Sequence, residues 1–213
     1  MSMPSTLSVL LDGLIDFAGL FPPAQLEMKP MVQAYHRAGI DARGWMLGRV
    51  IVPATRLAEF EAAAAQLLPD EEEADPWCLS VLTRPCGSEE LAEDLAAIEA
   101  FNTIHSTPEG GRAIIDVIEL KGESVKSIDE TLDQLPDELF PFVEIPASSD
   151  VRGAMAVLAG SEAGAKLRTG GVTPDLYPSV DEIARFVVAA AGSGVPFKAT
   201  AGLHHPLAND NLV

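Results

Sequence analysis

The chain predicts an α/β fold built on a parallel sheet, and three observations carry that reading. Short apolar runs alternate with segments of helical periodicity, and the starts of the runs recur at roughly thirty-residue spacing, the length of a βαβ unit. The runs are continuous rather than alternating, as expected for strands covered on both faces. No Gly-x-Gly-x-x-Gly follows the first run, which argues against an open dinucleotide-binding sheet. Seven such units favour a TIM-type βα barrel occupying residues 1–213 as a single domain, opened by a short N-terminal helix. Thirteen residues follow Thr200, too few for an eighth crossover and strand. The barrel is therefore expected to be incomplete, with its exposed edge covered in a homo-oligomer.

Each element has its own local reason. Ser5 to Leu11 reads as a short amphipathic helix and Leu14 to Leu20 as the first strand, after which Phe21-Pro22-Pro23 forces an extended exit. Met31, Tyr35 and Ala38 have helical spacing over residues 28–38, and Gly39 is placed to end that helix. Trp45 to Val52 is the second strand, closed by Pro53, and Leu57, Phe60, Ala64 and Leu67 mark one face of the next helix. Trp77 to Thr83 follows as the third strand, then a helix through Leu91, Leu95 and Ile98. Ala113 to Lys121 is the fourth strand, and Ser127-x-x-Glu130 suits a capping box for the helix after it. Phe140 to Pro146 is the fifth, with Val151, Met155 and Leu158 on the helix beyond, and Gly164 to Arg168 is the sixth. Ser179-x-x-Glu182 forms a second capping box, opening a helix through Ile183, Phe186, Val187 and Ala190 that Gly192 stops; Val195 to Thr200 is the seventh strand.

Composition narrows the function classes. Fourteen basic against 32 acidic residues give a net charge of −18, which repels phosphate backbones and anionic headgroups. Nucleic acid and membrane partners are not expected. The acid runs Asp70 to Glu73 and Glu89 to Asp94 read as solvated loops and helix faces. Cys78, on a strand, and Cys86, in a loop, lack metal-ligand spacing and read as reduced thiols; with no basic n-region at the start and no apolar run of membrane length, a soluble cytoplasmic protein is expected. His36 on a helix and His105 in a loop read as surface residues.

Lysine is used unusually. Of Lys29, Lys121, Lys126, Lys166 and Lys198, three fall in strand-like segments, where an ammonium must be desolvated or paired. The carboxyl ends of the strands, where barrels gather their chemistry, collect Asp16, Arg49, Glu119, Lys121, Glu144, Lys166, Arg168, Lys198, Thr200, His204 and His205. Strand parity points Lys166 with Arg168, Lys198 with Thr200, Phe142 with Glu144 and Glu119 with Lys121; it turns Asp116 the other way unless a bulge intervenes. Such a mouth suits a small anionic metabolite.

Lys166-Leu167-Arg168-Thr169-Gly170 followed by Lys198-Ala199-Thr200-Ala201-Gly202 resembles the paired lysine strands of deoxyribose-phosphate aldolases and related class I aldolases. That family carries Lys-x-x-Thr-Gly on its sixth barrel strand and Lys-Ala-Ser-x-Gly on its seventh. The resemblance spans residues 166–202 and implies that Lys166 is a Schiff-base lysine and Lys198 the cation that lowers its pKa. The chain departs from the pattern in three ways: Arg168 stands for a small residue, Ala201 for a glycine, and the family's eighth-strand phosphate loop is absent; the family's relay aspartate would fall on Asp116, which parity turns away. The same motifs also suit a βα-barrel family without assigned activity, which would give a fold and no reaction. The physical chemistry agrees with the aldolase reading, because a desolvated lysine beside a second ammonium is neutral more often and only the neutral amine attacks a carbonyl.

The expected catalytic set is therefore Lys166, Lys198, Glu144 and His204, with Arg168, Thr169, Gly170, Thr200, Lys121, Glu119, Asp16, Arg49 and His205 binding substrate, and neither metal nor cofactor. The expected activity is that of an aldolase-like lyase. Other readings stay open. The lysines can be structural ion pairs with Glu144 or Glu119, and Arg49 a packed partner of Asp16. The chain can be a phosphosugar isomerase, a metal-assisted lyase, or a non-catalytic scaffold presenting its charged mouth.

Overall fold

The computed structural model describes residues 6–71 and 74–202. Its contacts gather into two compact units: one runs to Arg84 and includes Ser88–Glu119 and Asp137–Leu139, and the other holds Pro85–Gly87, Leu120–Pro136 and Phe140 onward. Seven strands alternate with helices among the described residues, and neighbouring strands in each unit run parallel in chain order.

The first unit opens with α1 (Thr6–Leu11), β1 (Ile15–Phe17), α2 (Met28–Gly39) and β2 (Leu47–Pro53). It continues with α3 (Leu57–Ala64), β3 (Trp77–Leu82), α4 (Leu91–Ile104) and most of β4 (Ala113–Lys121). Parity decides which side chains meet the helices. Val50, Val52, Leu79, Val81, Ile115 and Ile118 are buried together with Met31, Val32, Phe60, Ile98 and Phe101 from the helices, and this is the unit's core. The opposite strand face carries Arg49, Cys78, Ser80 and Glu119.

The second unit comprises α5 (Val125–Leu132), β5 (Phe140–Glu144), α6 (Val151–Ala159), β6 (Gly164–Arg168), α7 (Val180–Ser193) and β7 (Phe197–Thr200). Val143, Ala165 and Leu167 are buried with Ile128, Met155, Leu158, Phe186 and Ala190. Ser179 and Glu182 make the expected reciprocal capping box at α7.

Several boundaries move from their expected places, each for a local reason. The first strand is only three residues long, because Gly19 already belongs to a turn and the ring of Phe17 occupies the space a side chain there would need. A 3-10 turn over Gly44–Met46 takes Trp45 out of the second strand. The capping box of α5 is Ser124 with Ser127, one turn before the pair expected, since Val125 already has helical geometry. Gly194, at φ +67°, and not Gly192, ends α7. Two side chains read as solvated are buried. Asp94 is held by Arg84, whose backbone N–H donates to it at 2.7 Å, and His105 closes α4 with its ring against Phe101. No helix among the described residues is long and apolar enough to cross a membrane.

Candidate functional site

Register brings the expected catalytic side chains of the second unit into one row. Glu144 on β5 partners Lys166 on β6, and Lys166 partners Lys198 on β7. Parallel strands sit about 4.8 Å apart, so the three side chains stand side by side on the face away from the helices. Lys166 is 8% exposed, and its ammonium donates to Glu144 Oε2 at 2.8 Å. An ammonium this deep needs such a partner, because burying it alone costs several kcal/mol.

One register row back toward the strand starts the face is aromatic. Phe140 and Phe142 make an edge-on pair with ring centroids 5.1 Å apart, and Lys198 Nζ lies 5.2 Å from the centroid of the Phe142 ring, within cation–π range. One row forward, Arg168 partners Thr200. Arg168 Nε donates to the carbonyl of Gly170 at 2.9 Å, which lays the exposed guanidinium over its own loop. The Thr169 N–H and hydroxyl both donate to the Thr200 carbonyl, at 2.8 and 3.0 Å, and lock the two strand ends together. The glycines of these turns follow from close approach: a Cβ on Gly170 would fall 2.3 Å from the Ala201 carbonyl oxygen, and one on Gly202 would fall 2.5 Å from Thr169 Oγ1. Ala201 adopts φ +57°, a left-handed conformation unusual for a residue with a Cβ.

No family model and no curated protein matches the chain. The site therefore stands on its own residues, and the aldolase resemblance stays an expectation.

The remaining expected residues divide. Lys121 is exposed at the end of β4. His204 and His205 lie outside the described residues. Asp16, Arg49 and Glu119 belong to the first unit, where they have structural partners. Glu119 is 2% exposed and accepts from the Ser80 hydroxyl at 2.7 Å. Arg49 does not pair with Asp16 through its guanidinium; its backbone N–H donates to Asp16 Oδ1 at 2.9 Å, while Nε and Nη2 grip the Asp116 carboxylate in a fork. That hydrogen bonding raises the already high pKa of Arg49. Burial, followed by the nearby Asp116 charge, pushes the Cys78 thiol up. Asp116 can take part because the β3–β4 register slips between Leu79 and Ser80: Leu79 faces Ile115 but Ser80 faces Val117, leaving Asp116 as the extra residue of a bulge. Strict alternation would turn it away; the bulge returns it to the face of Arg49.

Sequence reasoning put Phe142 on the face of Glu144 but gave it no role, and it missed Ser80 as the partner of Glu119 and the His105 contacts. His105 Nδ1 lies 2.8 Å from the Gly111 carbonyl and Nε2 3.3 Å from Glu61. Nothing local marks the Ser80 and Glu61 contacts, which depend on register and on the packing of α3 against α4. Among the described residues no three His, Cys, Asp or Glu side chains are grouped so that they could hold a metal ion.

Proposed function

We propose that the chain is a small-molecule enzyme of the aldolase-like lyase class, acting on a small anionic carbonyl compound through Lys166. The observation that carries this reading is the buried Lys166–Glu144 contact of 2.8 Å with Lys198 next in register. A Schiff base needs a neutral amine and somewhere for its proton to go. Glu144 is positioned to accept that proton, and a second ammonium nearby favours the neutral form. The amine of Lys166 adds to the carbonyl carbon to give a carbinolamine, and loss of water gives the iminium that serves as electron sink for C–C cleavage. Arg168 supplies a cation and Thr200 a hydroxyl donor at the rim for the anionic end of the substrate, while Thr169, whose hydroxyl donates to the Thr200 carbonyl, holds the two strand ends together. The finer fold reading belongs here too: seven parallel strands in chain order within their units, alternating with helices, support an incomplete TIM-type barrel.

The test is incubation with a panel of small aldehydes and keto acids, borohydride reduction, and peptide mass mapping. A covalent mass increase on Lys166 is the expected result, and a panel that leaves Lys166 unmodified removes the reading.

A second reading draws on the same contact. Glu144 already satisfies the Lys166 ammonium, and Arg168 is folded onto Gly170, so the row also suits a fixed ionic element in a protein that binds anions without turnover. Binding that survives Lys166→Met with no chemical conversion favours it.

A further inference from the structure

We infer that Phe142 is a positioning residue that holds the Lys198 ammonium in the charged row, and that Gly164 is glycine so that it can. This goes beyond the proposed reaction, although it concerns the same row. Phe142 is on β5 and Lys198 on β7, with β6 between them. A side chain spans that gap only if the intervening strand presents nothing at the crossing point. The register partner of Phe142 is Gly164, and a Cβ there would lie 2.5 Å from Cε1 and 2.6 Å from Cδ1 of the Phe142 ring. Side chains essentially never approach so closely, so the ring lies flat across β6 where any other residue would lift it.

The consequence is electrostatic. The ring face carries the negative end of its quadrupole, and Lys198 Nζ stands over it at 5.2 Å. A lysine is a flexible four-carbon stem with a strongly hydrated head, and on an open face it would lean to solvent. The ring offers the ammonium a seat next to the row of Glu144 and Lys166. Phe140 braces that seat: its ring meets Phe142 edge-on, and its Cε1 is 3.1 Å from the same vacant Cβ position on Gly164. The chain of causes runs from a missing Cβ, to a flat ring, to a fixed cation.

Lysine NMR on the whole chain labelled with carbon-13 tests this directly. The Lys198 Hε resonances are expected upfield of those of exposed lysines because they lie over a ring. Phe142→Leu should return them to the ordinary position, and Phe142→Tyr should keep them shifted. Gly164→Ala is the discriminating variant: it leaves the ring in the protein but displaces it, so the upfield shift should be lost. Ordinary Lys198 resonances in the unsubstituted chain, or a shift unaffected by Gly164→Ala, overturns the inference. Should Phe142→Leu fail to fold, the unsubstituted chain and Phe142→Tyr still decide it.

A second readout follows Lys198 itself. In competitive reductive methylation, labelling of Lys198 relative to exposed Lys29 is expected to rise about fivefold in Phe142→Leu, the scale of the one cation–π contact that is lost, and to return to the parent level in Phe142→Tyr. Unchanged labelling counts against the inference. Neither readout uses a substrate. A missing keto-acid adduct would therefore remove the proposed reaction and leave this arrangement standing, and a missing ring shift would do the reverse.

Discussion

Lys166 and Glu144 are partners twice over: they are paired in register across β5 and β6, and their charged groups meet at 2.8 Å with both side chains mostly buried. Removing one member leaves a desolvated charge, whereas removing both leaves two neutral side chains. Glu144→Gln is expected to cost about 3 kcal/mol in urea unfolding, and Glu144→Gln combined with Lys166→Met to recover most of that loss. The coupling is read from the double-mutant cycle. A cycle that shows additive effects means that the two groups do not rely on each other.

The same cycle bears on chemistry. Lys166→Met must abolish any borohydride-trapped adduct if Lys166 is the nucleophile. Glu144→Gln should slow trapping by about a hundredfold, the usual scale of a lost proton acceptor, without moving the adduct to another lysine.

Asp116 supplies a backbone test. Its fork to Arg49 is about one-third exposed, so Asp116→Asn should cost only about 1 kcal/mol. Deleting Asp116 removes only the extra residue of the bulge: Ile115 stays opposite Leu79 and Val117 opposite Ser80, so the other side chains of β4 keep their faces while Arg49 loses its fork. The deletion variant is expected to fold and to unfold cooperatively by circular dichroism. A deletion variant that does not fold would mean that the bulge itself is needed to hold β4 against β3.

These contrasts show which parts of the molecule were legible in the sequence. The alternation of strands and helices was, because a continuous apolar run such as Trp77 to Leu82 and a helical stripe such as Met28, Met31 and Tyr35 are properties of neighbouring residues. The three strand lysines were also legible, because a charge inside an apolar run is conspicuous wherever it points. What pairs with them was not. Glu144 and Glu119 were both candidates for Lys166, and only register sets Glu144 beside it. A bulge is one residue in a run of nine, with no composition of its own, and Asp116 could be placed on its face only by the slip against β3. His105 was read as a loop residue; its burial comes from Phe101 and Gly111 on either side of it in the chain and from Glu61, 44 residues away.

Three backbone positions give predictions that differ in sign. Gly194 ends α7 at φ +67°, and no atom lies within 4 Å of where its Cβ would be, so Gly194→Ala isolates the conformational term and should cost about 1 kcal/mol. Ala201 holds φ +57° after β7, where the resemblance would place glycine, and Ala201→Gly should gain about 1 kcal/mol. Gly192, within α7 and also without close neighbours, should stabilise the helix by somewhat under 1 kcal/mol when changed to Ala. Thermal or urea midpoints check all three, and a loss of stability in Ala201→Gly would contradict the left-handed geometry.

Cys86 gives a pH dependence with a definite sign. Burial pushes its thiol up to about 11 from an ordinary value of 9.0, outweighing the hydrogen bond with Thr131 that favours the thiolate. A raised folded-state value means that the folded chain holds this proton more tightly than the unfolded chain does. The corresponding stability is complete below pH 9 and is lost as pH rises through 11, by about 3 kcal/mol in all. Cys86→Ala removes the titrating group, so its stability relative to the parent should improve by about 2 kcal/mol between pH 8.5 and 11, whatever the substitution costs at neutral pH. Iodoacetamide should correspondingly react slowly with Cys86 at pH 8, because only the thiolate is nucleophilic. Parallel stability profiles for Cys86→Ala and the parent across that range would show that the thiol carries no such linkage.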